Sequence, residues 1–223
     1  MRIAQRHLAV GRCLNFVSIE MTSTRILVYG FGPYRQFNDN VTAKVLREVP
    51  NRRWLKKAVF PVKFQRRQFI QAGEKFTPGV ILGLGQCSRG RLLRIETQAI
   101  NKRRSGKNEK ARPIVRGGAP KLFTDLRPEL GRPARHSRNA GDYVCNFSMY
   151  VILETLRRRQ LAIRYGFIHI PYDYDLGRAA ALVDSALVRM VSHESGRRGE
   201  VSIATARKKI AASKSRAPRQ IGR

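Results

Sequence analysis

Acidic residues are scarce in this chain. Only 15 Asp and Glu stand against 45 Lys and Arg, leaving a formal net charge of +30 over 223 residues. Such an imbalance ordinarily points to a polyanionic partner. Its distribution argues against sequence-specific reading of nucleic acid. Asn101–Ala140 holds twelve Lys/Arg against three Asp/Glu, and Val191–Arg223 holds nine against two. Both stretches are polar and interrupted by glycine and proline. Neither interleaves basic with aromatic residues in the way that stacks single-stranded bases, and no helix-turn-helix or zinc-finger spacing is present. Cysteine is also scarce. Cys13, Cys87 and Cys145 are too few for a disulfide framework, and none lies in a CxxC or His/Cys cluster. No metal or cofactor is therefore expected, and a reducing, cytoplasmic setting is the natural default. No apolar run has the length of a bilayer span, so no membrane partner is expected. What remains is a chain of 42% hydrophobic composition, enough for one domain with a real core.

The first twenty residues carry Arg2, Arg6 and Arg12 and an apolar stretch that Arg12 interrupts. A secretory signal needs a longer unbroken core. The expectation is an N-terminal extension over 1–23 ahead of a natural start at Met21, a domain over 24–191, and a basic tail over 192–223 without packed structure. Within the domain, Ile26–Phe31 is a continuous β-branched and aromatic run and reads as a buried strand. Asp39–Val49 reads as a helix with Asp39 or Asn40 as N-cap. Leu55–Val62 and Val80–Leu84 read as strands, with a short helix over Phe64–Ala72 between them. Arg91–Ile100 reads as extended. Val144–Arg158 is the clearest helix, closed by Arg157 and Arg158 where cations suit the dipole. Leu161–Ile170 reads as a strand and Leu176–Val191 as a closing helix. Strands alternating with helices imply a single α/β/α sandwich on a mostly parallel, twisted sheet.

Cys145 follows a glycine turn, Asn139-Ala140-Gly141, at the mouth of that clearest helix. The unsatisfied N–H groups and the dipole there are expected to lower a thiol's pKa. The plainer reading is a small core hydrophobe, which most free cysteines are. His169 lies in Gly166-Phe167-Ile168-His169-Ile170-Pro171, with Ile168 and Ile170 on the opposite face of the strand. It stands near the strand's C-terminal end, where α/β sheets gather ligands and catalysts, although a lone strand histidine is more often structural. A base needs a third group to orient its second ring nitrogen. Glu96 is the candidate, and a surface ion pair with Arg91 or Arg94 is its alternative.

These segments, in this order, resemble the pyroglutamyl-peptidase I (pyrrolidone-carboxylate peptidase) family. The family pattern A-G-x-[FY]-x-C-N is met by Ala140-Gly141-Asp142-Tyr143-Val144-Cys145-Asn146. G-F-I-H-[IV]-P is met by Gly166 through Pro171, and E-x-x-A-x-N by Glu96, Ala99 and Asn101. The first loop, Gly30-Phe31-Gly32-Pro33-Tyr34 followed by Asn40-Val41-Thr42, is similar to the family's G-F-x-P-F and N-P-S. The resemblance implies a cysteine omega peptidase with Cys145 as nucleophile, His169 as base and Glu96 as the group orienting it. It further implies a pyroglutamyl ring held between Phe31 and Tyr34, with Gln86 and Asn40 at the same pocket. The implied partners are peptides with N-terminal pyroglutamate and further copies of the chain in a homo-oligomer.

The chain also departs from the family. Gly90, flanked by Arg89 and Arg91, stands where relatives carry an arginine. Basic sequence replaces the family's substrate loop after Asn101, and Arg127–His136 is too short and proline-broken for the helix that relatives have there. A second reading follows from the charge: a scaffold of this fold that is weakly active or inactive and binds nucleic acid or another polyanion through the 102–138 loop and the tail.

Overall fold

The computed structural model describes residues 24–34, 38–106 and 108–192. The expected N-terminal extension and the basic tail after Ser192 lie outside these residues. Strand β1 (Ile26–Phe31) leads to helix α1 (Val41–Glu48), then β2 (Leu55–Phe60), α2 (Arg66–Phe76) and β3 (Val80–Cys87). After β4 (Leu93–Glu96), β5 (Gln98–Ile100), β6 (Lys121–Phe123) and β7 (Ala134–Ser137) come α3 (Val144–Arg158) and β8 (Arg164–Pro171). Residues 176–192 form the last helix, α4. Six strands make one sheet in the order β2-β1-β3-β8-β4-β7, and β5 pairs with β6 separately. β1, β2, β3 and β8 run parallel, while β4 pairs antiparallel to β8 and parallel to β7.

The most apolar runs take the centre. β1, β3 and β8 are covered on both faces, which is why they read as continuous hydrophobic sequence rather than alternating. One face carries Ile26, Val28, Leu82, Leu84, Ile168 and Ile170 against α1 and α4. The other carries Leu27, Tyr29, Ile81, Tyr165 and Phe167 against α2 and α3. Of the two candidate caps, Asn40 begins α1, its side chain accepting from the Thr42 N–H. The expected extended stretch Arg91–Ile100 is divided. β4 stays in the main sheet, the chain turns at Thr97, and β5 leaves to pair with β6. β6 and β7 carry too few residues for a periodic signal. Arg127–His136 forms no helix, as its prolines dictate, and instead feeds β7.

The face beneath α3 holds a buried polar chain. Tyr165 and Tyr29 share a 2.7 Å hydroxyl contact, Tyr29 meets Ser148 Oγ at 3.0 Å, and Ser148 donates to the Cys145 carbonyl at 2.8 Å. Burial pushes the ionisation of Tyr29 and Tyr165 well above the ordinary range, and pushes the Cys145 thiol up to about 12. These groups keep their protons when folded but release them when unfolded above roughly pH 9–10. The stability they support is whole below that range and is lost as pH climbs toward their folded values. The part of the tyrosinate absorbance that Tyr29→Phe and Tyr165→Phe remove should therefore appear only together with loss of far-UV circular dichroism. Titration of the tyrosines ahead of unfolding would show that they are not sealed in.

Candidate active site

Three elements converge at the C-terminal end of the parallel strands. β8 supplies His169, the neighbouring β4 supplies Glu96, and the first turn of α3 supplies Cys145. Glu96 and Phe167 are cross-strand partners, and so are Arg94 and His169. With a side-chain period of two, Glu96, Arg94, Phe167 and His169 then share one face, the one α3 covers. Glu96 is fully buried and His169 is 4% exposed. The His169 Nδ1 stands 2.8 Å from Glu96 Oε1. A carboxylate can only accept, so Nδ1 carries the proton and Nε2 is left as the acceptor. The Glu96–Arg pairing that sequence alone allowed is not formed; although Arg94 shares this face, the carboxylate pairs with His169 instead. The second oxygen, Oε2, is buried without a hydrogen-bond partner.

A glycine brings the cysteine and the histidine together. Gly85 on β3 is the cross-strand partner of His169. A Cβ placed on it would stand 2.8 Å from Cys145 Sγ, from His169 Cδ2 and from Phe167 Cε1. The sulfur and the imidazole carbon next to Nε2 thus lie no more than twice that distance apart, across a space any side chain at 85 would fill. Gly83 does the same one step deeper, where an added Cβ would meet Phe167 at 2.4 Å and the Tyr29 hydroxyl at 2.6 Å.

Cys145 is the second residue of α3, whose N-cap, Tyr143, makes no side-chain cap bond. The first-turn N–H groups of Val144, Cys145 and Asn146 consequently have no partner within the helix. The expected fall in thiol pKa does not occur. Burial is the main cause of the rise to about 12, and the nearby Cys87 and Glu96 add to it. A helix terminus is worth a fraction of what desolvation costs a thiolate.

Beside Cys145 opens a cavity of about 370 Å³ whose lining includes Phe31, Tyr34, Asn40, Gln86 and Tyr143. All four of the ring-binding positions expected from sequence line it. Their parts differ. Phe31 is 2% exposed and packed edge-on to Tyr29 and Phe69. Tyr34 faces Tyr143, ring centroids 5.1 Å apart. Asn40 spends its carbonyl on the helix cap. Gln86 accepts from the Val41 N–H at 2.9 Å, which fixes its oxygen and leaves its NH₂ as a donor. Tyr143, Cys87, Ser88 and Tyr172 also line the cavity and were not singled out from sequence. Tyr143 was legible, since it fills the aromatic position of the Cys145 motif. Tyr172, Cys87 and Ser88 carry no local signal. The two motif asparagines are structural: Asn146 bonds the backbone of Ile100 and Lys102, and Asn101 ties down Ile114, Val115 and Gly118. Among the described residues no cluster of His, Cys, Asp and Glu could hold a metal ion, and no helix is long and apolar enough to cross a membrane.

Fold and site together define a class: an α/β-layered protein with a cysteine, a carboxylate-oriented histidine and an aromatic-lined cavity at the strand ends. Residues 24–176 match the pyroglutamyl peptidase family, and the chain belongs to it. It is 28% identical over 187 residues to the pyrrolidone-carboxylate peptidase of Lactobacillus helveticus, covering 75% of this chain and 94% of that one. It is 30% identical over 167 residues to pyrrolidone-carboxylate peptidase 2 of Caldanaerobacter subterraneus, covering 66% and 81%. Its fold superposes on pyroglutamyl peptidase I from Bacillus amyloliquefaciens with a TM-score of 0.68 at 25% identity, over 74% of this chain and 94% of that one. On pyrrolidone carboxyl peptidase from Thermococcus litoralis the score is 0.69 at 19% identity, over 79% and 96%.

Proposed function

We propose that this protein removes N-terminal pyroglutamate from peptides, with Cys145 as nucleophile, His169 as general base and acid, and Glu96 as the group that holds the imidazole. The observation that carries the reading is the meeting of Cys145 Sγ and His169 at Gly85, with Glu96 behind the histidine at 2.8 Å. Substrate binding places the pyroglutamyl carbonyl carbon against Sγ. As sulfur attacks, its proton passes to His169 Nε2, and the charge that burial forbids on a lone thiolate is shared by an imidazolium beside Glu96. First-turn N–H groups of α3 receive the carbonyl oxygen as it becomes an oxyanion. His169 then returns the proton to the departing amine, which leaves a thioester on Cys145. A water deprotonated by His169 attacks this thioester, releasing pyroglutamate and restoring the thiol.

Ring recognition follows from the cavity. A neutral lactam offers two flat faces and one amide edge. The faces suit Tyr34, Tyr143 and Phe31, and the Gln86 NH₂ can donate to the lactam carbonyl. The test is release of fluorophore from a pyroglutamyl amide, set beside the prolyl amide, in which a CH₂ replaces the lactam carbonyl and the ring nitrogen becomes a charged amine. Turnover of the first with rejection of the second is expected. Equal rates on both, or none on either, would end this reading.

A further inference from the structure

Cys87 and Ser88 belong to two cavities. On one side is the aromatic cavity at Cys145. On the other is a pocket of about 280 Å³ lined by Arg89, Arg91, Arg94 and Arg135 together with Leu92 and Pro171. Topology sets the order across the sheet end: β1 and β3 under the ring cavity, β8 with His169 next, then β4 with Arg94 and β7 with Arg135. Arg94 is the cross-strand partner of both His169 and Arg135. The Cα atoms of the two arginines therefore stand about 5 and 10 Å from that of the histidine, one and two strand spacings away.

The charges in this pocket are poorly matched. Arg89 pairs with Asp173 at 3.2 Å. Among the described residues Arg91, Arg94 and Arg135 have no ion pair. Glu96, on the same face of β4 as Arg94, is buried against His169. Like charges at paired positions of neighbouring strands repel, so an anion between Arg94 and Arg135 relieves a repulsion already in the fold. Guanidinium forks are the side chains best matched to a carboxylate.

We infer that this arginine pocket is a subsite for a carboxylate on the residue following the pyroglutamyl group, which makes acidic peptides the preferred substrates. The inference rests on the proposed function, since it takes the ring cavity as the seat of the lactam. With the ring there and the scissile carbonyl at Cys145, the rest of the peptide leaves over β8 toward Arg94 and Arg135. The carboxylate has two sources, an Asp or Glu side chain at that residue or the free C-terminus of a dipeptide.

Binding to Cys145→Ala protein, measured by calorimetry, separates the subsite from the chemistry. Pyroglutamyl-glutamyl amide is compared with pyroglutamyl-glutaminyl amide for the side-chain source, and pyroglutamyl-alanine with its amide for the terminal source. At low salt at least one acid should bind about tenfold tighter than its neutral isostere, the worth of one charge-assisted hydrogen bond. Arg94→Gln with Arg135→Gln should bring that ratio close to one. Arg157→Gln, which removes an equal charge at the far end of α3, should not. Equal affinities within both pairs overturn the inference, as does a ratio that survives the double substitution or falls equally with Arg157→Gln. If the native protein cleaves no pyroglutamyl substrate yet the acid preference and its arginine dependence hold, the subsite stands and the hydrolase reading fails.

Discussion

Cys145→Ala is expected to lower kcat on a pyroglutamyl amide by roughly a million-fold, the scale lost when a covalent nucleophile is removed. Binding contacts and the first-turn N–H groups remain, so KM should change little. The residue as a whole keeps some exposure although its sulfur is shielded, and losing that one sulfur costs the fold on the order of 1 kcal/mol. The melting transition should therefore stay cooperative, which separates lost chemistry from lost structure. Cys145→Ser should be nearly as inactive, because an alcohol gives up its proton even less readily than this thiol. Alkylation of the native protein adds a pH signature. With the thiol pushed up to about 12 by burial, the rate of reaction with an uncharged haloacetamide should still be climbing at pH 10. A plateau near neutrality would mean that a thiolate–imidazolium pair forms before substrate arrives. Retention of activity within tenfold by the alanine variant would remove Cys145 from the mechanism altogether.

Glu96→Gln should divide activity from stability. A glutamine fits the space but carries no charge to stabilise the imidazolium, and its NH₂ end facing Nδ1 would select the wrong tautomer. A fall of roughly 10³–10⁴ in kcat is expected, again with little change in KM. Stability should move the other way or not at all. The carboxylate is wholly buried, and Oε2 has no hydrogen-bond partner to offset its desolvation. A neutral amide costs less there, so the variant should melt at or above the native temperature. An active Glu96→Gln protein would leave His169 without need of its partner, and a variant that unfolds would recast Glu96 as a structural residue.

Several parts of the fold were legible because their signals are local. The β-branched run of β1, the Asn40 cap of α1, the long apolar helix α3 closed by Arg157 and Arg158, and the apolar strand at Leu161–Ile170 each state their own conformation. The prolines of Arg127–His136 forbid a helix there whatever surrounds them. Other parts had no local voice. β6 and β7 are three and four residues long and owe their pairing to neighbours brought from elsewhere in the chain. The turn at Thr97, which sends β4 and β5 to different sheets, is fixed by bonds from Thr97 to Ser137, forty residues away.

The site divides along the same line. Sequence by itself determined the chemical parts: a cysteine at a helix start, a histidine late in a strand, a glutamate ahead of both, and the spacing that matches one family. It also determined that the chain is strongly basic. Tertiary structure alone decided how these parts are tuned. It chose His169 over an arginine as the partner of Glu96, and it buried Cys145 deeply enough to reverse the pKa shift expected from the helix terminus. It seated Tyr143 opposite Tyr34, and it gathered Arg94 and Arg135 from two strands beside the cleft. The reason is physical. Residue type and backbone preference act over a few neighbours, whereas desolvation, cross-strand pairing and cavity shape depend on every element that packs against a group.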